Sequence, residues 1–120
     1  MNLRVNTYQK AQKEFSLSEA DPHKVIQILM RELLTQIYQA KAFMGRSDIE
    51  AKNNSIKKAV GIIGGLKGGW NFQQGGEIAS NLDNLYDYLV VRLSDANTQN
   101  SPEILDEIND LFSPIKEAWD

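Results

Sequence analysis

The chain has no cysteine, one histidine and only three prolines in 120 residues. Without cysteine there is neither a disulfide frame nor a thiolate metal site, and with His23 alone no histidine cluster can gather. No segment approaches the roughly 18 apolar residues needed to span a bilayer. The opening MNLRVNTYQKAQKEFSLSEA holds no apolar run of the signal-peptide kind. Positive charge is not in excess either: 13 Lys and Arg stand against 16 Asp and Glu, a net charge of −3, and the basic residues are scattered, which argues against a nucleic-acid surface. These absences predict a cytoplasmic protein with no membrane insertion and no nucleic-acid partner.

What is present is ordinary for a globular domain: 42% apolar and 24% charged residues. The length suits one domain over residues 1–120 with a single core. From Pro22 onward the apolar residues recur every three or four positions. Ile26, Met30, Leu33, Ile37, Ala40 and Met44 share one helical face, with Asp21 as N-cap, Pro22 at the first helical position and Gly45 as the expected stop. A second helix is expected from Ser47, whose spacing to Glu50 is that of a capping box, with a row through Ile49, Ile56, Ala59, Ile63, Leu66 and Trp70.

The third row runs Ile78, Leu82, Leu85, Leu89, Leu93 and Ala96, ending in Asn97-Thr98-Gln99-Asn100. The fourth starts at Ser101-Pro102 and carries Ile104, Ile108, Leu111, Ile115 and Trp119. Pro114 lies inside that last row, where the missing N–H predicts a kink or break. No segment shows the alternation of a half-buried strand. Helices joined by short connections run antiparallel to their neighbours, so the expected fold is all-α, an up-down four-helix bundle over residues 21–120. Residues 1–20, with a thin row of Leu3, Val5, Tyr8, Ala11 and Phe15, are expected to form a mobile N-terminal arm or short helix.

The inventory for catalysis is thin. His23, in the first helical turn, reads as a solvated surface residue, and the Glu-x-x-His pairs of di-iron bundles do not occur. No catalytic, cofactor or metal residues are assigned. Seven of the eight glycines lie between Gly61 and Gly76, but a phosphate loop needs lysine directly after its last glycine, and Lys67 follows Leu66. The four-residue spacing of Gly61, Gly65 and Gly69, and of Gly64 and Gly68, instead makes a bare strip if the segment is helical. Each interior glycine costs about 0.8–1 kcal/mol relative to alanine, so such a helix needs tertiary support. The plainer alternatives are fraying near Gly64 and close packing inside the bundle. Tyr86 and Tyr88 point about 200° apart on a helix. Tyr86, beside Leu82, Leu85 and Leu89, is the core candidate, and Tyr88 the candidate for a contact surface.

The stretch GGEIASNLDNLYDYLVVRLSDAN, residues 75–97, resembles the central signature of the FliS family, flagellar export chaperones. Its Gly-Gly-Glu-Ile-Ala, Asn-Leu, Leu-Tyr-x-Tyr, Arg-Leu and Ala-Asn elements are all present in order. The Tyr8 segment, the start at Asp21-Pro22 and the closing Glu117-Ala118-Trp119 are similar to further parts of the family pattern. The five glycines from Gly61 to Gly69 and Pro114 depart from it.

The resemblance implies a helical bundle, no enzyme activity and no cofactor. It implies a flagellin client whose disordered C-terminal segment becomes partly helical as it wraps the bundle, which blocks premature polymerisation. Flagellar export-gate or regulatory proteins are further partners it suggests. The residues assigned to flagellin binding are Tyr8, Ile63, Gly65, Gly68, Ile78, Asn81, Leu82, Leu85, Tyr88, Leu89 and Arg92, with Gly65 and Gly68 taken not from the family pattern but from the bare strip, which would let a client helix lie near the backbone. A rival reading from composition alone is a non-chaperone adaptor or dimerising regulatory module. The arm is expected to cover the client surface in the free protein and protect it from aggregation. Deleting residues 1–15 should therefore change solubility or client affinity, and unchanged values of both would count against that role.

Overall fold

The computed structural model of the chain describes residues 21–67 and 76–120, with residues 76–80 as backbone alone. The expected arm, Tyr8 within it, Gly68, Gly69 and Trp70 lie outside the described residues. Among the described residues four helices are formed: α1 (Pro22–Gly45), α2 (Ile49–Lys67), α3 (Gly76–Gln99) and α4 (Pro102–Trp119). Among the described residues there is no strand, and no helix is long and apolar enough to cross a membrane.

Local chemistry starts and stops these helices. The Asp21 side chain accepts from the His23 N–H at 3.0 Å, and Pro22 follows at the position where a missing N–H costs nothing. Ser101 repeats the device, its hydroxyl accepting from the Ile104 N–H at 3.2 Å ahead of Pro102.

α1 ends at Gly45, as expected. The left-handed residue of the α1–α2 turn is Ser47, two positions on, with φ of 56°. The Ser47 N–H bonds the Met44 carbonyl and the Asp48 N–H the Phe43 carbonyl, which closes the paired C-terminal bonds of a Schellman motif. Asp48, not Ser47, then caps α2, accepting from the Ala51 N–H at 3.1 Å. A hydroxyl on a residue already committed to ending α1 cannot also sit at the start of α2, whereas the next residue can.

The α3–α4 turn has the same construction. Asn100 takes φ of 50°, its N–H bonds the Asn97 carbonyl, and the Ser101 N–H bonds the Ala96 carbonyl. Both turns lie at one end of the bundle, where the Lys52 ammonium joins them by donating to Asn100 Oδ1 at 3.2 Å and to the Asn97 carbonyl at 3.4 Å.

Each helix packs against two others: α1 against α2 and α4, and α3 against α2 and α4. The α1–α4 pair is antiparallel, since Lys41 bonds Asp106 at 2.7 Å near one end and Gln27 bonds Asp120 at 3.0 Å near the other. The core joins Val25, Ile26, Leu29, Met30, Leu33 and Ile37 of α1 to Ile56, Ile62, Ile63 and Leu66 of α2 and to Leu89 and Leu93 of α3. Tyr86 and Phe112 are fully buried with ring centroids 6.2 Å apart.

Two expected row members lie outside the core. Ile49 is 65% exposed because, as the first residue of α2, it projects past the end of the packed rows, and Leu111 is 41% exposed. The α4 row is turned toward Leu105 and Phe112, since an aromatic ring buries more apolar area than a leucine at the neighbouring position.

Pro114 does not break α4, which continues to Trp119. Asp110, whose carbonyl loses the bond to residue 114, is exposed and meets water. The tail beyond is held from outside the helix. Trp119 donates from Nε1 to the His23 carbonyl at 3.0 Å and stacks on the His23 ring at a centroid distance of 4.7 Å. His23 is thus exposed as expected, but it is a ring contact as well.

Nor does α2 fray near Gly64, for the helix runs on to Lys67. At 3.6 residues per turn, Gly61, Gly64 and Gly65 fall on the side opposite the Ile56, Ala59, Ile63 and Leu66 row. Three interior glycines cost about 2.5–3 kcal/mol. Full burial of one large side chain such as Ile62 or Leu66 returns about 1.5–3 kcal/mol, and α2 buries several. Packing therefore outweighs propensity here.

The turn makes a stability prediction. A Cβ on Gly45 would meet nothing within 4 Å, so Gly45→Ala should stabilise by about 0.5–1 kcal/mol. Ser47→Gly should add about 1 kcal/mol by relieving the left-handed backbone. Urea unfolding of the two single variants checks both, and a loss in either would contradict this account of the turn.

Candidate functional site

Asn81, Leu85, Tyr88 and Arg92 recur at spacings of four, three and four, so they share one flank of α3. That flank forms the seam with α4. The Tyr88 hydroxyl donates to Glu107 Oε2 at 2.6 Å, while Arg92 donates from Nη2 and Nε to Glu107 Oε1 at 2.7 and 3.1 Å. Arg92 also holds Asp95 at 3.0 Å, one turn along its own helix. One carboxylate on α4 thereby fixes both the aromatic ring and the guanidinium on α3. Tyr88, 44% exposed, presents the rest of its ring to solvent.

The charges sit in mutually supporting states. The Tyr88 hydroxyl bond, and then the Arg92 bonds, hold the Glu107 carboxyl below its usual value. Bonding to Glu107 raises both the Tyr88 hydroxyl and the Arg92 guanidinium above theirs. The opposite flank of α3 is fastened to α2, where Lys67 pairs with Asp87 and lies 3.6 Å from Asp83. The hydrogen bond from Asp87 raises the Lys67 ammonium above its ordinary value. With both flanks tied, the outward side of α3 carries Asn84 and Val91, the latter 58% exposed.

The residues assigned from sequence divide among three places. Asn81 is exposed, Leu82 and Leu85 are half-buried, and Tyr88 and Arg92 form the clamp with α4. Ile63 and Leu89 are fully buried in the core, so their side chains support the surface from beneath. Gly65 is half-buried on α2, the helix that Lys67 ties to the flank of α3 opposite Tyr88. Among the described residues, Gly65 on α2 therefore does not share the Tyr88–Arg92 seam, which α3 forms with α4. Ile78 lies in α3 with its side chain outside the described part, and Tyr8 and Gly68 lie outside the described residues.

The chain matches the family described as flagellar protein FliS over residues 4–120. It belongs to the FliS family. Among its relatives, the flagellar secretion chaperone FliSB of Pseudomonas aeruginosa is 44% identical over 113 residues, covering 94% of this chain and 90% of the relative. The flagellar secretion chaperone FliS of Vibrio cholerae is 38% identical over 120 residues, covering 100% and 88%. That of Salmonella typhimurium is 37% identical over 116 residues, covering 96% and 86%. The FliS family is one of chaperones, not of enzymes.

Two features of the bundle were missed by reading the sequence. Glu107 was not singled out, yet the short α3–α4 turn sets the antiparallel register that places it opposite Tyr88 and Arg92, so turn length was the available signal. The second is a groove of about 440 Å³ between α1 and α4, lined by Ile37, Ala42, Leu105 and Asn109, the Lys41–Asp106 pair and Tyr38. Tyr38 is 77% exposed, and its signal was a large aromatic standing just off the apolar row of α1.

Because Glu107 titrates lower in the folded chain than in the unfolded one, its contribution to stability is fully present above the ordinary carboxylate range. It is lost as pH falls through the lowered folded value. The difference in urea midpoint between the parent protein and Glu107→Gln should accordingly be largest near neutral pH and should close in acid. A difference independent of pH would show that the Glu107 charge has no such role.

Proposed function

We propose that this FliS-family chain is a cytoplasmic secretion chaperone whose client is the C-terminal segment of flagellin. The segment wraps the bundle, and its apolar residues seat against the α3–α4 seam around Leu85, Tyr88 and Arg92. The observation that carries the reading is the clamp itself: a half-exposed tyrosine and an arginine are held rigid by Glu107, inside the stretch that carries the family signature. A pre-ordered aromatic beside a fixed cation suits helix-in-groove recognition, because little side-chain entropy remains to be lost when a segment binds. Ordering the segment itself is offset by the apolar area it buries. Holding the segment prevents premature polymerisation and keeps the subunit competent for export.

The glycine strip of α2 is a second region for the same segment. A bare helix face admits another backbone closely, and a wrapping segment reaches both sides of α3 without needing them on one plane. Tyr8 and the rest of the N-terminal arm remain the proposed cover of the client surface in the free protein. Export-gate or regulatory proteins remain the further partners proposed.

Titration of a flagellin C-terminal peptide into the protein tests this reading. Tyr88→Ala should weaken binding by about tenfold or more, as loss of a central aromatic anchor does. Gly65→Leu, off the packed Ile56–Ile63 row of α2, should weaken binding while leaving thermal stability largely intact. Unchanged affinity in Tyr88→Ala would remove the seam from the client path. Absence of any binding by the parent protein would favour an adaptor without a flagellin client.

A further inference from the structure

The turn end of the bundle holds a cleft distinct from the α3–α4 seam. It has a volume of about 330 Å³ and lies between the two left-handed turns, with Phe43, Met44, Ile49, Lys52, Asn97 and Asn100 in its lining. Lys52 is only 6% exposed. Its ammonium has three N–H donors, and the two acceptors it meets, Asn100 Oδ1 and the Asn97 carbonyl, are both neutral. Among the described residues no carboxylate lies within ion-pair distance of it. Asp48 also lines the cleft, but its carboxylate accepts from the Ala51 N–H at the start of α2.

A buried ammonium that meets only two neutral acceptors keeps one N–H donor to offer, and an incoming carboxylate makes with it a charge-assisted bond that the more distant Asp48 does not make. The walls define the rest of the ligand. Ile49 is 65% exposed at the rim, and Phe43 is half-buried. A free inorganic anion would gain nothing from these apolar surfaces, whereas a peptide segment would. We propose that this cleft is a docking site for a partner protein segment that presents an acidic side chain next to an apolar one. The carboxylate meets Lys52, and the apolar neighbour covers Ile49 and Phe43. A volume of this size admits a side chain or two and not a long helix, so the contact is a short anchor. Its place at the end of the bundle leaves the α3–α4 seam open, so the partner can be held together with a client. The inference does not depend on flagellin being that client.

The test uses the full-length protein, isotope-labelled for amide NMR. The probes are the peptide acetyl-Ala-Asp-Leu-Ala-amide, its counterpart with asparagine in place of aspartate, and inorganic phosphate. The aspartate peptide should move the amide signals of Ile49, Lys52 and Asn100, and the asparagine peptide should bind about tenfold more weakly. Lys52→Met should abolish the difference between the two peptides. Because that change also removes the brace between the turns, Ile49→Ser provides the second reading: on an exposed residue it should leave the fold intact and weaken the aspartate peptide several-fold. The proposal is overturned by equal binding of the two peptides, by no movement of those signals, or by phosphate binding as tightly as the aspartate peptide. Self-association of the protein through the cleft, read from its solution mass, would likewise replace the partner with a second copy.

Discussion

The apolar row of α1, from Val25 to Met44, can leave water only by packing against α2 and α4, and the rest of the chain is arranged around that requirement. A single amphipathic helix of this length would be marginal in water, because propensity contributes little beside the burial of a whole face. Once α1 has neighbours on two sides, α3 closes the remaining opening, with Tyr86, Leu89, Leu93 and Ala96 completing the core. The same burial tolerates local faults. It carries the glycines of α2, and with the Trp119–His23 contact it carries the C-terminal tail of α4 past Pro114.

Polar groups fix what apolar contact leaves loose. Hydrophobic rows specify which faces meet, but they permit sliding along the helix axis. Arg92 and Tyr88 on Glu107, Lys67 on Asp87, Lys41 on Asp106 and Gln27 on Asp120 each set one position of one helix against its neighbour. Exposed ion pairs add little stability individually. Their value here is geometric, since the clamp on Glu107 turns a tyrosine that would otherwise sweep through several rotamers into part of a surface. Ser47 and Asn100 serve the same end at the turns, where a left-handed residue lets the carbonyls of one helix close before the next helix begins.

The two regions with functional proposals use these constraints differently. Along the α3–α4 seam, Arg92 and Glu107 are paired within the protein, and the half-exposed Tyr88 ring and half-buried Leu85 stand beside the exposed Asn81, the surface proposed for a segment that folds as it binds. In the turn-end cleft, the Lys52 ammonium meets only neutral acceptors among the described residues, and the proposed complement is a partner's carboxylate. One chain thus presents a clamped tyrosine and arginine on its side and a cleft holding the buried Lys52 at its end, with α3 running between them.

Much of the architecture was determined by sequence alone because it rests on local rules. The bounds of α1, the caps at Asp21 and Ser101, the antiparallel order, the burial of Tyr86 and the exposure of Tyr88 all follow from residue spacing and capping chemistry. The family signature at residues 75–97 likewise stands in the sequence itself. The tertiary structure decided what depends on non-local neighbours. Ile49 and Leu111 have the right period but no partner across from them, while Phe112 meets Tyr86 and Leu105 joins the core. Ser47 gave its place as cap to Asp48 once the ending of α1 had claimed it. Neither Glu107 beneath Tyr88 nor Lys52 between the two turns could be read from periodicity, because each contact joins residues from different helices, and only the packed register brings them within reach.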